Sequence, residues 1–238
     1  MIEKRPFASL GHADHGWLNA RHHFSFANYY DPARMGWGAL RVWNDDEIAA
    51  QSGFPTHPHR DMEIITYVRQ GAITHRDSMG NEGHTLAGDV QVMSAGTGIQ
   101  HSEFNLGDEE TRLFQIWIEP TEKGGTPRWD AKAFPKGDRA GKLEVLASGF
   151  DADLEKGALW IRADARLSGA TLSKGEAIHH ELADGFRGYL VVSEGRLDVS
   201  GVDLDARDAA AISDVSDLRI EALDNAEFLL AEVPTAPR

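Results

Sequence analysis

From Trp37 onward, apolar and polar residues alternate in short runs broken by turn residues, a period of two that reads as β-strand rather than helix. Gly38-Ala39-Leu40-Arg41-Val42-Trp43 is one such run, and a polar loop is expected from Asn44 to Gly53. Met62 to Val68 reads as a strand ending near Gln70-Gly71, and Ile73 to Arg76 precedes the turn-rich Asp77-Ser78-Met79-Gly80-Asn81. Further strands are expected at Val90 to Met93 and Leu113 to Ile118. Short strands at regular spacing predict a sandwich or barrel. Helix is expected at most as single turns, at Asp45 to Gln51 and Arg207 to Ala211.

Proline and glycine gather without periodicity from Glu119-Pro120 through Gly124-Gly125-Thr126-Pro127 to Pro135-Lys136-Gly137-Asp138, which marks a connection between units. The expected organisation is a first domain over 1–125, a linker over 126–140 and a second domain over 141–238. The second half repeats the strand pattern at Lys142 to Leu146, Ala158 to Ala163, Gly188 to Val192, Arg196 to Val199 and Phe228 to Val233.

Composition narrows the class. The chain has 238 residues, 41% hydrophobic and 26% charged, with 24 glycines, which suits a globular protein rich in turns. A formal charge of −14 opposes a phosphate backbone, so direct nucleic-acid binding is not expected. No apolar run approaches the roughly 20 residues that span a bilayer, and Met1 to Leu10 lacks the apolar stretch of a secretory signal. With no cysteine there is no disulfide support. A cytoplasmic enzyme is the expectation.

The candidate chemistry lies in two triplets, His57-Pro58-His59 and His101-Ser102-Glu103. Residues i and i+2 of a strand face the same way, so each triplet offers a two-toothed claw. If the two strands face each other across a barrel, three imidazoles and one carboxylate converge on a single ion. Such a set is typical of catalytic rather than thiolate-rich structural metal sites. Glu63 is a competing ligand, but an ideal strand carries it about 13 Å past His59. Its other reading is a hydrogen-bond partner that orients a ligating imidazole. His12, His15, His22 and His23 lack such pairing and are expected at the surface or lining a pocket. His75 and His84 flank a turn and are expected in solvent. Phe24, Phe26, Tyr29 and Tyr30 form an aromatic cluster expected in the core or covering the barrel. In the second half, His179 and His180 are adjacent and point to opposite faces, so a second barrel without metal is expected. Gly96-x-Gly98 is a turn that delivers His101, not a nucleotide loop.

These residues resemble the cupins and, within them, the pirin family. The matching stretches are His57-Pro58-His59-Arg60-Asp61-Met62-Glu63, Thr66-Tyr67-Val68, His75-Arg76-Asp77-Ser78-Met79-Gly80, and the run from Gly88 through Ala95-Gly96-Thr97-Gly98-Ile99-Gln100-His101-Ser102-Glu103. Further likeness appears at His23-Phe24-Ser25-Phe26-Ala27, Tyr30-Asp31-Pro32 and Gln115-Ile116-Trp117. Ordinary cupins carry proline where Ser94 stands, so the likeness is to pirins rather than to cupins at large. The resemblance implies an all-β bicupin of two antiparallel double-stranded β-helix, jelly-roll-like barrels, with metal held by His57, His59, His101 and Glu103 in the first.

It further implies quercetin 2,3-dioxygenase activity, in which O2 opens a flavonol with release of carbon monoxide. Glu103 or Glu63 would accept the substrate proton. The cofactor implied is one divalent transition metal, Fe(II) favoured by the resemblance, while the donor set also suits Ni, Mn, Cu, Co or Zn. The partners expected are a flavonol-like small molecule and O2, on a monomer. The alternative is a non-enzymatic, metal-dependent redox sensor that binds a transcription-related protein, which the negative charge permits if that partner is basic.

Overall fold

The computed structural model describes residues 1–235. Each half is a sandwich of a seven-stranded and a four-stranded sheet. In the first half the large sheet runs, in spatial order, Arg128–Lys132, Val90–Ser94, Glu63–Gln70, Thr111–Ile118, Leu40–Ile48, Leu18–His22 and Gly11–Asp14. The small sheet facing it runs Ser52–His59, Ile99–Asn105, Ala72–Asp77 and Glu82–Leu86. The second half repeats this plan, its large sheet centred on Phe186–Glu194 and Ala226–Pro234. Two antiparallel cupin barrels are therefore present, and among the described residues the α-helix is confined to Asp151–Leu154.

The large sheets pack back to back, and the alternation within each strand explains how. In Glu63–Gln70, Ile65 and Tyr67 point out of the first barrel into a core shared with Tyr189, Val191, Leu229 and Ala231 of the second. Ile64, Thr66 and Val68 point inward. The second barrel's interior is a continuous apolar cluster that includes Leu190, Val192, Leu197, Phe228 and Leu230. The first barrel's interior is interrupted: an aliphatic group around Leu18, Ile48, Val68 and Leu113 is separate from one around Ile64, Met93 and Ile99. The candidate residues lie in the polar layer between them.

Several expectations are corrected. The polar run beginning at Asn44 is not a loop, nor is Asp45 to Gln51 a helical turn, because the strand Leu40–Ile48 continues through it. Asn44, Asp45 and Asp46 are all buried: Asn44 and Asp46 face the barrel interior, while Asp45 faces out and pairs with Arg69 and Arg207. Only 49–51 turn the chain, with Gln51 at a φ of 55°. Arg207 likewise turns the chain, at a φ of 72°, into the buried strand Ala209–Ile212. The segment 126–140, expected as a linker, contributes Arg128–Lys132 to the first large sheet. Ile2–Arg5, expected within the first domain, pairs with Ala209–Ile212 in the second. The two halves are thus laced together at both ends of the first.

Candidate metal centre

Ser52–His59 and Ile99–Asn105 are neighbours in one sheet, with His101 directly opposite His57, rather than strands facing each other across the barrel. Convergence comes from register and from a bulge: Glu103 pairs with Phe54, so one extra residue is accommodated at Pro55-Thr56. Proline, which has no N–H to place in the ladder, suits that position. Gly53 permits the close approach beside it, since a Cβ there would lie 2.2 Å from the Glu103 carbonyl oxygen. At the other end, Gly96 turns the chain into the His101 strand at a φ of 47°, close against Gly125.

The three rings of His57, His59 and His101 cluster with centroids 4.5–4.9 Å apart. Nε2 of His57 and Nε2 of His101 are 3.0 Å apart. Their proton positions follow from the partners on the other side of each ring. Nδ1 of His57 lies 2.7 Å from the Pro55 carbonyl, which only accepts, so Nδ1 carries the proton and Nε2 a lone pair. Nδ1 of His101 lies 3.4 Å from Nδ1 of His75, whose Nε2 donates to the Asp77 carboxylate at 3.0 Å. With the proton of His75 on Nε2, its Nδ1 accepts from Nδ1 of His101, and this assignment leaves Nε2 of His101 facing His57 with a lone pair. Burial, then the neighbouring His57 and His75, lowers the His101 pKa to about 3. Burial, then His101 and His57, lowers that of His59 to about 4. The rings of His59 and His101 are thus held neutral, the state that binds metal.

Two lone pairs 3.0 Å apart with no proton between them repel. Two nitrogens that each ligate one ion at about 2.1 Å and at right angles lie about 3.0 Å apart. The donor set therefore fits a divalent transition metal. Glu103 is buried beside it, its carboxylate receiving Gln91 at 2.6 Å, Gln115 at 2.7 Å and Thr66 at 3.2 Å. Its carboxylate groups with His101 and His75 rather than with all three of the clustered rings.

His75 corrects the expectation of solvent exposure. It is fully buried, in register with Glu103, and stacked at 4.9 Å on Trp129. The signal was available: His75-Arg76-Asp77 has the same i, i+2 spacing as the two claws. Glu63 lies elsewhere. Its strand points it away from Ile64 and Thr66, and its carboxylate accepts from Ser94 Oγ at 2.6 Å and from the Arg162 amide at 2.9 Å in the second half. Burial raises its pKa, against the pull of those two hydrogen bonds. His23 and Phe24 are in the shared core, His22 lines a cavity, and His84 and Tyr30 are exposed. In the second half the His179 side chain is exposed, while His180 lies 3.1 Å from Glu232.

A cavity of about 310 Å³ opens onto the rings of His57 and His59. Its walls are mainly apolar, from Leu18, Phe26, Phe54, Ile64 and Trp117. Trp117 stands edge-on to His59 at 5.0 Å. Asn44 and Asp46, expected in a loop, also line it, as does His22, expected at the surface or lining a pocket. His22 Nδ1 lies 2.8 Å from Asn44 Oδ1. Asp46 is buried, and burial, then Asp45 and Glu103, pushes its pKa well above the usual carboxylate range.

Fold and site together define a bicupin whose first barrel carries a histidine-rich centre fit for a metal ion. The chain belongs to the pirin family. The Pirin family model matches residues 3–118, and that of the quercetinase C-terminal cupin domain matches 145–233. A pirin-like protein of Caulobacter vibrioides is 61% identical, over 98% of this chain and 99% of its own. A quercetin 2,3-dioxygenase of Escherichia coli is 46% identical over 98% and 99%. The crystal structure of the bacterial pirin YhhW from Escherichia coli in complex with nickel(II) superposes with a TM-score of 0.92 at 44% identity, covering 98% of this chain and 99% of that one.

Proposed function

We propose that the protein is a metal-dependent dioxygenase that opens a flavonol with O2 and releases carbon monoxide, with His57, His59, His101 and Glu103 holding the ion. The observation that carries this reading is the approach of Nε2 of His57 to within 3.0 Å of Nε2 of His101, beside a cavity sized for a small aromatic molecule. The relatives named as quercetin dioxygenases support the substrate class. A bound divalent ion would supply Lewis acidity that acidifies the flavonol 3-hydroxyl and so makes an electron-rich flavonolate.

The chain's own residues do the rest. Pro55 and the His75–Asp77 pair fix the ligand tautomers. Phe26, Phe54, Ile64 and Trp117 exclude water and hold a flat ring system. Glu103 is oriented by Gln91 and Gln115 to take the hydroxyl proton. Glu63 has no part in proton transfer in this reading, because it faces away from the cavity and ties the two barrels together. An apolar-walled cavity beside the candidate ligands favours turnover of a small molecule over a sensor that acts through a protein partner.

The test is to load apo-protein separately with Fe(II), Mn(II), Ni(II), Cu(II), Co(II) and Zn(II), then follow quercetin absorbance and carbon monoxide in air. Metal-dependent consumption with carbon monoxide release, lost in His101→Ala, is expected. Binding of quercetin without consumption under every loading contradicts the proposal.

A further inference from the structure

One carboxyl group in the cavity has no partner. Asp46 is 2% exposed, and its Oδ1 makes no hydrogen bond among the described residues. Buried polar atoms are nearly always paired, so an orphan facing a cavity points to a missing ligand. Among the described residues no donor stands within hydrogen-bond distance of that oxygen. The residues in register with it on either side are Leu113 and Ala20, and Arg69, the nearest strong cation on that sheet, is committed to Asp45 on the opposite face. On the same wall Asn44 Oδ1 is engaged by His22, and Gln115 by Glu103 and Thr66.

The placement is specific. Gln115, bonded to the candidate metal ligand Glu103, is in register with Asn44, and Asp46 is the next inward residue on the same strand. Two residues along a strand are about 7 Å, roughly the width of one aromatic ring. A flat molecule seated against His57 and His59 would therefore reach Asp46 with its far edge, between the apolar walls of Leu18 and Phe54.

We propose that Asp46, beside the His22–Asn44 pair, is a hydroxyl-recognising subsite that receives a peripheral phenolic hydroxyl of a polyhydroxylated aromatic ligand and so sets specificity for ring hydroxylation. The inference rests on the small-molecule reading of this cavity, but not on dioxygen chemistry. A carboxyl there rewards a hydroxyl, which can both donate to it and accept from it. An enzyme acting on an unsubstituted aromatic edge would do better with leucine at this position.

The experiment compares anaerobic binding of quercetin and 3-hydroxyflavone, which keeps the 3-hydroxyl and 4-keto pair but lacks the other hydroxyls, to the nickel-loaded full chain by tryptophan fluorescence. Wild type should prefer quercetin by about tenfold or more, the worth of one well-made hydrogen bond to a buried group. Asp46→Leu should abolish that preference by weakening quercetin alone, with metal content kept and Tm at or above the wild-type value. Asp46→Asn, which still offers a donor and an acceptor, should retain most of it. The subsite is overturned if wild type shows no preference, or if Asp46→Leu weakens both ligands equally or neither. Should the leucine variant fail to fold, the wild-type preference and its survival in Asp46→Asn decide the matter. Quercetin bound with this preference but never consumed would end the dioxygenase proposal and leave the subsite standing.

Discussion

Nε2 of His57 and Nε2 of His101 face each other across 3.0 Å, and the partners on the far side of each ring, the Pro55 carbonyl and Nδ1 of His75, assign both ring protons to Nδ1. The His101 tautomer depends on His75, which accepts a hydrogen bond from His101 Nδ1 and is itself anchored by Asp77. Such a partner aligns a ligating imidazole and strengthens its basicity.

His75→Phe keeps the stack on Trp129 but removes the acceptor, leaving His101 free to rotate or change tautomer. Metal affinity is expected to fall about 10- to 100-fold, the usual effect of losing a ligand-orienting group. Competition with a chromogenic chelator measures it. An affinity equal to wild type would remove His75 from the account.

The two glutamates should separate cleanly. Glu63→Ala strips Ser94 and the Arg162 amide of their acceptor and is expected to cost about 1–3 kcal/mol of stability while metal content is unchanged. Glu103→Gln should lower metal content and turnover together. Denaturant unfolding and metal analysis on the same preparations check both, and loss of metal from Glu63→Ala would restore it as a ligand candidate.

His23 makes acid stability measurable. It is fully buried in the shared core, bonded to Tyr189 Oη at 2.9 Å, and burial, then Arg5, lowers its pKa to about 3. The unfolded chain, with a pKa near 6.5, takes up a proton first as pH falls, so the stability from neutral His23 is complete above 6.5 and lost progressively below it. Between pH 7.5 and 5.0 the loss should be about 2 kcal/mol. His23→Gln keeps a partner for Tyr189 and should remove that part of the pH dependence. Parallel slopes for the two proteins would place the acid sensitivity elsewhere.

Much of the fold could be read from alternation and turns, because strands half-buried against a core print their period on the sequence. The polar run Asn44-Asp45-Asp46 misled because both of its faces are buried, one in the barrel and one against Arg69 and Arg207, so polarity no longer signals solvent. Pairing between distant segments, such as Ile2–Arg5 with Ala209–Ile212, leaves no local trace. In the candidate site, the i, i+2 rule singled out His57, His59 and His101, whose donor atoms cluster, and Glu103, which groups with His101 and His75. The same rule applied to His75-Arg76-Asp77 would have found the fourth imidazole, which its position beside a turn disguised. Asp46 was hidden by the same error that made its strand a loop.

The most direct test of the central claim is metal stoichiometry after apo-protein is loaded with Ni(II) or Fe(II) and exhaustively dialysed, for wild type and for His57→Ala and His101→Ala. One ion per chain in wild type and close to none in either variant is the expected result. A wild type that retains no ion, or variants that retain a full one, would contradict the assignment of these facing imidazoles as a metal centre.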